Sequence, residues 1–407
     1  GFVCEIFPNP RQDAGPFLVA RRHECDDLPT VMTYGHGDVV AGYDGQWDNN
    51  MNPWEITKIG NRWYGRGTAD NKGQHTINLA ALRSVLETRE RLGFNVIFLI
   101  EMGEERNSPG LKDFCTAHKD LFQADVFIAS DGPRIHPDKP TIFMGSRGVF
   151  NFIMRLDIHD GGHHSGNWGG LLTNPGVIMA HAITSMIDKN GKILVDGWRN
   201  TEIPGSVRSA IAKLEVGGGE NAPQINPNWG EPEMTPGERV FASNTFEIRA
   251  FETGNPKSPA NAIPPSAVVY GHLRYVVGTD VDQLMPLLRM HLNQHGFPDI
   301  EIIGERDPMY ATRLDPEHPW AQWAIASLHK TNGASISVIP NLGGSLPNDV
   351  FADVLGLPTI WVPHSYAGCS QHAPNEHILE KTSKSALRLM TSLWWDLGAG
   401  NTPKCTK

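Results

Sequence analysis

The chain has 407 residues, enough for two hydrophobic cores rather than one. Apolar residues make up 40% and charged residues 20%, ordinary for a globular protein, and the longest apolar runs, such as 96–100 and 126–129, are far too short to span a membrane. A formal net charge of −10 argues against nucleic acid as a partner, because phosphate binding needs a basic face.

In chain order, residues 30–34 form a short β-rich run ending at Gly35-His36. Over 74–91 the apolar positions Ile77, Leu79, Ala80, Leu82, Val85 and Leu86 predict an amphipathic helix that stops before Gly93. The run 95–100 reads as a buried parallel strand, 111–121 as a helix and 125–130 as another buried strand. The middle reads strand (149–158), helix (175–188), a Gly/Pro/Asn-rich surface loop (217–237), strand (267–276), helix (281–295) and strand (300–304). Late in the chain, 320–331 is predicted helical, 335–339 and 359–362 are strands, and 381–397 is a terminal helix. The expected fold is therefore α/β: a catalytic domain on an open, mostly parallel sheet (1–147 and 307–407), interrupted by an α+β, ferredoxin-like domain at 148–306.

Five cysteines (Cys4, Cys25, Cys115, Cys369, Cys405) are scattered with no CxxC pair, so neither a disulfide framework nor a thiolate zinc site is expected. A reducing, cytoplasmic setting fits them. The opening Gly1-Phe-Val-Cys4 shows neither a charged n-region nor an apolar h-region, so no signal peptide is expected.

Chemistry concentrates in five short segments, most of them turns that follow apolar runs. They are Gly35-His36-Gly-Asp38, Arg66-Gly-Thr-Ala-Asp70-Asn-Lys-Gly73, Glu101-Met-Gly-Glu104-Glu105, Ser130-Asp131-Gly132 and Gln371-His372-Ala-Pro-Asn-Glu376. In open α/β sheets, sites form beyond the carboxyl ends of the strands, so these turns can converge. Carboxylates mixed with imidazoles suit zinc, and manganese or cobalt less selectively. Five ligands and a spare carboxylate match a two-metal hydrolytic site. Neighbouring Glu104 and Glu105 cannot comfortably chelate one ion, so one is expected to ligate and the other to face substrate as a general base. Two acids at a helix N-terminus are the plainer reading of the pair taken alone. His36 and Asp38 share a face of an extended segment, which lets Asp38 support His36. Taken singly, the Asp70 segment reads as a turn before a helix and the His372 segment as a proline loop; their order together carries the argument. Gly343-Gly344-Ser345 lacks the Lys-Ser/Thr of a phosphate cradle.

In that order the segments resemble the M20 family of metallopeptidases, which contains carnosinase-like dipeptidases, glutamate carboxypeptidases, aminoacylases and deacylases. The resemblance runs over essentially the whole chain. It implies two divalent ions, zinc first, with Asp70 bridging them, His36 and Asp131 completing one, and Glu105 and His372 the other. Glu104 would be the general base, Asp38 the support for His36, and Asp70-Asn71 a cis peptide. The inserted domain would be a lid and homodimerisation module. His163-His164-Ser165-Gly166 resembles a family segment whose histidine enters the neighbouring subunit's site, a role that maps to His164. Arg274 matches a lid arginine that binds a substrate carboxylate, Asn261 a position near substrate, and Gly344 and Ser345 a loop lining the pocket. Arg147 is expected to be structural. Asp at 131 favours dipeptidase-like members, so hydrolysis of a dipeptide or similar small amino-acid derivative is expected. The alternative is an N-acyl-amino-acid amidohydrolase, and a catalytically silent scaffold is the rival from another class.

Overall fold

The computed structural model describes residues 1–407 apart from 201, 213, 218–222, 306–308, 401 and 404–407. The expected domain boundary at Arg306, the loop stretch at 218–222 and Cys405 lie outside the described residues.

An eight-stranded sheet carries the site, ordered Val3–Phe7, Phe17–Arg22, Asn95–Glu101, Thr30–His36, Val126–Ala129, Thr359–Trp361, Thr141–Phe143, Ser337–Ile339. Its four central strands, Asn95–Glu101 through Thr359–Trp361, run parallel. Alternate side chains enter two separate cores. Met32, Tyr34, Ile97, Leu99 and Phe127 join Leu111, Phe114 and Ile211 on one face, while Val31, Val96, Val126 and Ile128 join Leu82, Trp320 and Leu393 on the other. Because both faces are buried, these strands are apolar throughout rather than alternating.

The edges depart from the expected pattern. Val3–Phe7 and Phe17–Arg22 form an antiparallel hairpin that joins the sheet antiparallel to Asn95–Glu101. Thr141–Phe143 pairs antiparallel to Thr359–Trp361. The main sheet is therefore mixed at its margins and parallel where the site sits. The helix expected over 111–121 ends at Ala117 and continues as a separate turn, Lys119–Phe122.

A second sheet of four antiparallel strands is ordered Thr245–Thr253, Ser266–Tyr275, Gly148–Asp157, Glu301–Gly304. It has its own core, in which Phe152, Met154, Val269 and Leu273 meet Met179, Ala182 and Leu288 of two helices, Pro175–Met186 and Leu284–Gln294. Thr245–Thr253 is an additional strand, lying between the loop expected at 217–237 and the strand expected at 267–276. Among the described residues no helix is long and apolar enough to cross a membrane.

Candidate metal centre

The parallel strands end on one side and deliver the polar residues there. His36 is the last residue of Thr30–His36, Glu104 and Glu105 occupy the turn after Asn95–Glu101, and Asp131 follows Val126–Ala129 by one residue beyond Ser130. Asp70 sits just before the helix Lys72–Arg89, and its peptide bond to Asn71 is cis. His372 is carried by the loop between Thr359–Trp361 and His377–Leu379, in a left-handed conformation (φ 58°).

Asp70 is the hinge of the cluster. Its Oδ1 lies 3.1 Å from His36 Nε2, and its Oδ2 lies 3.1 Å from His372 Nε2. Asp131 Oδ2 is 3.6 Å from His36 Nε2, and Glu105 Oε2 is 3.0 Å from His372 Nε2. His36, Asp70 and Asp131 thus form one group of converging ligand atoms and Asp70, Glu105 and His372 a second, with Asp70 common to both. Glu104 Oε2 approaches His36 Nε2 to 3.9 Å from beside the first group. The His36 side chain is fully buried while that of His372 is 59% exposed, so the centre opens to solvent on the His372 side.

The donor set fits divalent ions. Among the described residues, Asp131 Oδ2 and Glu105 Oε1 are buried with no hydrogen-bond partner, an expensive condition for a carboxylate oxygen unless a cation satisfies it. Electrostatics agree. Burial opposes charge on His36, yet hydrogen bonds to Asp38 and Asp70 and the nearby Asp131 and Glu104 hold its pKa well above the ordinary value. Burial and the Asp70 charge push Asp131 up to about 7. Burial, with Asp131 and Asp70 close by, raises Glu104 well above the usual carboxylate range. His372, hydrogen-bonded to Asp70 and Glu105, is raised to about 10. Crowded carboxylates of this kind hold protons until a cation replaces them.

Asp38 does two things. Its backbone oxygen lies 3.1 Å from His36 Nδ1, with the carboxylate farther off at 3.5 Å. That carboxylate accepts the backbone N–H of Glu104 (3.2 Å) and of Glu105 (3.1 Å), fixing the turn that carries both acids.

The remaining candidates lie on the second sheet and the loop after 342. Arg274 donates to Ser345 Oγ at 3.0 Å, which joins two predicted substrate contacts. Gly344 is held by Arg147, whose N–H reaches the Gly344 carbonyl while its guanidinium binds the Gly343 carbonyl. His164 is exposed, sits opposite Ala262 on a two-stranded ladder, and accepts the Gly166 N–H through Nδ1. The Asn261 carbonyl accepts the N–H and the hydroxyl of Ser165. Among the described residues, no polar contact joins His164 or Asn261 to the His36–Asp70–His372 cluster.

Sequence reasoning assigned no role to three supports. Glu376 is 1% exposed and binds the turn that carries Asp70. Asn71 donates to the Ser130 carbonyl beside Asp131. His364, buried beyond Thr359–Trp361, meets Ser130 Oγ at 2.9 Å.

A family model described as peptidase family M20/M25/M40 matches residues 32–396. The chain is 26% identical over 356 residues to a cysteinylglycine-S-conjugate dipeptidase of Corynebacterium striatum, covering 84% of this chain and 75% of that one. It is 33% identical over 192 residues to the Beta-Ala-His dipeptidase of Homo sapiens, covering 46% of this chain and 38% of that one, so the match spans well under half of the human protein. Among solved structures, an M20 family metallo-carboxypeptidase of Sulfolobus solfataricus superposes with a TM-score of 0.84 at 25% identity, covering 98% of this chain and 91% of that one. Human carnosine dipeptidase 1 shares the fold, with a TM-score of 0.77 at 20% identity over 98% of this chain and 87% of its own. A family model that spans both runs of site-bearing turns, from the His36 strand to beyond His372, leaves one assignment: the chain belongs to peptidase family M20/M25/M40.

Proposed function

We propose that the chain hydrolyses the peptide bond of a dipeptide or a similar small amino-acid derivative at a two-metal centre. The observation that carries this reading is the pair of three-residue groups sharing Asp70, with Glu104 beside them. Asp70 would be shared by the two positions, His36 and Asp131 would complete one, and Glu105 and His372 would complete the other. Two ions held there, zinc first and manganese or cobalt as substitutes, would supply the positive charge that activates a water and polarises the scissile carbonyl.

Glu104 takes a proton from the attacking water and returns it to the departing amine nitrogen as the carbon–nitrogen bond breaks. A pKa raised by burial and by Asp131 and Asp70 suits a group that must hold that proton between the two steps. Arg274 and Ser345 present donors for the substrate carboxylate, since a guanidinium matches a carboxylate in two-point geometry. Gly344 and Asn261 complete the substrate pocket. His164 acts on the scissile carbonyl in the site of a second copy, which fits its exposure and its separation from the chain's own cluster.

The chain then divides into a catalytic domain at 1–147 and 307–407 and an inserted lid and dimerisation domain at 148–306, in line with the two sheets and their separate cores. Four unpaired cysteines among the described residues suit a cytoplasmic setting. The test is a panel of dipeptides with free amines beside their N-acetylated forms, with and without a chelator. Chelator-sensitive hydrolysis of the free dipeptides is expected. Turnover confined to the blocked compounds would make the chain an amidohydrolase, and no turnover of either set with two ions bound would overturn the dipeptide reading and leave a specialised amide substrate or the silent scaffold.

A further inference from the structure

Glu376 follows His372 by four residues, and its side chain is 1% exposed. Both carboxylate oxygens are taken. They accept the backbone N–H of Gly67 (3.1 Å to each oxygen), of Ala69 (2.9 Å) and of Asp70 (3.0 Å), and the Arg66 guanidinium at 2.6 Å. With every acceptor direction facing an N–H donor, Glu376 has no oxygen left to ligate an ion. Its place is one layer behind the ligands.

Arg66 extends the connection. Its side chain is 1% exposed and donates to the Ala41 carbonyl at 3.1 Å and the Ala373 carbonyl at 3.0 Å, and its guanidinium lies 5.6 Å from the rings of both Tyr43 and Trp47. One buried ion pair therefore ties together the loop that follows His36 and Asp38, the turn that carries Asp70, and the loop that carries His372. Neither the Asp70 turn nor the His372 loop is regular helix or strand at the residue itself, so backbone pairing alone does not fix their spacing from the paired His36 strand.

We infer that Glu376 is a positioning residue that sets Asp70 against His372 and so forms the Asp70–Glu105–His372 position. The inference rests on the two-metal reading above. Glu376 acts by leverage. The Asp70 N–H is held by Glu376, and the two Asp70 oxygens point in opposite senses at 3.1 Å from each imidazole. A turn released from the Glu376 carboxylate loses the anchor of both Gly67 and Asp70, and His372 loses the partner that fixes its own loop. Groups one layer behind metal ligands typically cost about 10- to 100-fold in metal affinity when removed.

The test is zinc binding to the metal-free full chain, followed by competition with a chromophoric chelator. Wild type is expected to take two ions. Glu376→Gln should keep one near wild-type affinity and weaken the other by about 10- to 100-fold. His372→Ala, which removes a ligand of that same position, should weaken the same ion. Since breaking a buried pair on one side leaves an uncompensated charge, Glu376→Gln is accompanied by Arg66→Met/Glu376→Gln, which leaves none and carries the same expectation. Leu328→Ala, in the core on the far side of the sheet, serves as a control that lowers thermal stability but keeps both ions. Two tightly bound ions in the Glu376 variants would show that Glu376 supports the fold only, and would overturn the inference. A wild type that binds no zinc would overturn the two-metal reading itself.

Discussion

At the scale of single residues, the centre is built by giving each carboxylate one task. Asp131 and Glu105 keep buried oxygens unpartnered, Asp38 and Glu376 spend theirs on backbone N–H groups, and Glu104 keeps its own near His36. Glu104→Gln removes the proton carrier while preserving shape. Turnover is expected to fall by about 10²- to 10⁴-fold with two ions still bound, read by steady-state kinetics and metal analysis on one sample. Near-normal turnover would remove Glu104 from the mechanism. The protons held before ions enter give a second prediction. With His372 raised to about 10 and Asp131 to about 7, metal binding near neutrality must displace protons, so affinity should rise as pH rises through this range. Calorimetry at pH 7 in buffers of different ionisation enthalpy should report release of on the order of one proton or more per chain. A heat independent of buffer would contradict the protonated state of the cluster. Most of the candidate ligand residues were legible in the sequence because they stand at turns after apolar runs, and Asp70 and His372 were legible through the order of the five segments. Glu376 and His364 were not, because their effect passes through backbone amides and buried hydroxyls that only folding brings together.

At the scale of elements, the turn before Lys72–Arg89 is packed to contact. A Cβ added at Gly73 would lie 2.0 Å from the Thr68 carbonyl oxygen, inside the turn that Glu376 also grips. Backbone cannot yield as a side-chain tip does, so Gly73→Ala should push the turn apart. The expected result is a loss of roughly 1–3 kcal/mol in stability, as for other overpacked sites, together with weaker zinc binding. Gly45, beside which a Cβ meets nothing, is the comparison, although its positive φ of 77° adds strain of its own. A Gly73→Ala protein that melts and binds zinc as wild type does would show the turn to be pliable. The same scale explains what could be read in advance. Strands buried on both faces and helices with one apolar stripe declare themselves by pattern. Val3–Phe7 is mostly exposed, and Thr245–Thr253 exposes nearly every residue beyond Phe246 although Phe246, Ile248 and Ala250 alternate with Glu247 and Arg249, so the strand pattern there is not backed by burial. Both are edge strands, held by ladder hydrogen bonds to a neighbour rather than by burial.

At the scale of the whole molecule, the role proposed for His164 requires a second copy of the chain. The chain's own His164 is exposed on the ladder with Ala262, on the strand pair next to the second sheet. Thr245–Thr253 is an outer strand of that sheet and presents Ile248 (38% exposed) and Phe251 (43% exposed). An edge with free backbone groups and apolar side chains is suited to pairing with a second copy, and a two-fold pair would carry each His164 toward the other subunit. Complementation tests this directly. His164→Ala and Glu104→Gln proteins should each be nearly inactive alone. Mixed and allowed to exchange subunits, they form dimers in which one site has both an intact Glu104 and the partner copy's intact His164. Random exchange makes half the dimers mixed, with one of two sites restored, so activity should return to roughly a quarter of wild type. Recovery at that level requires that the histidine act across subunits. If His164 instead serves its own chain, every site in the mixture lacks one of the two groups, and the mixture stays as inactive as its parts.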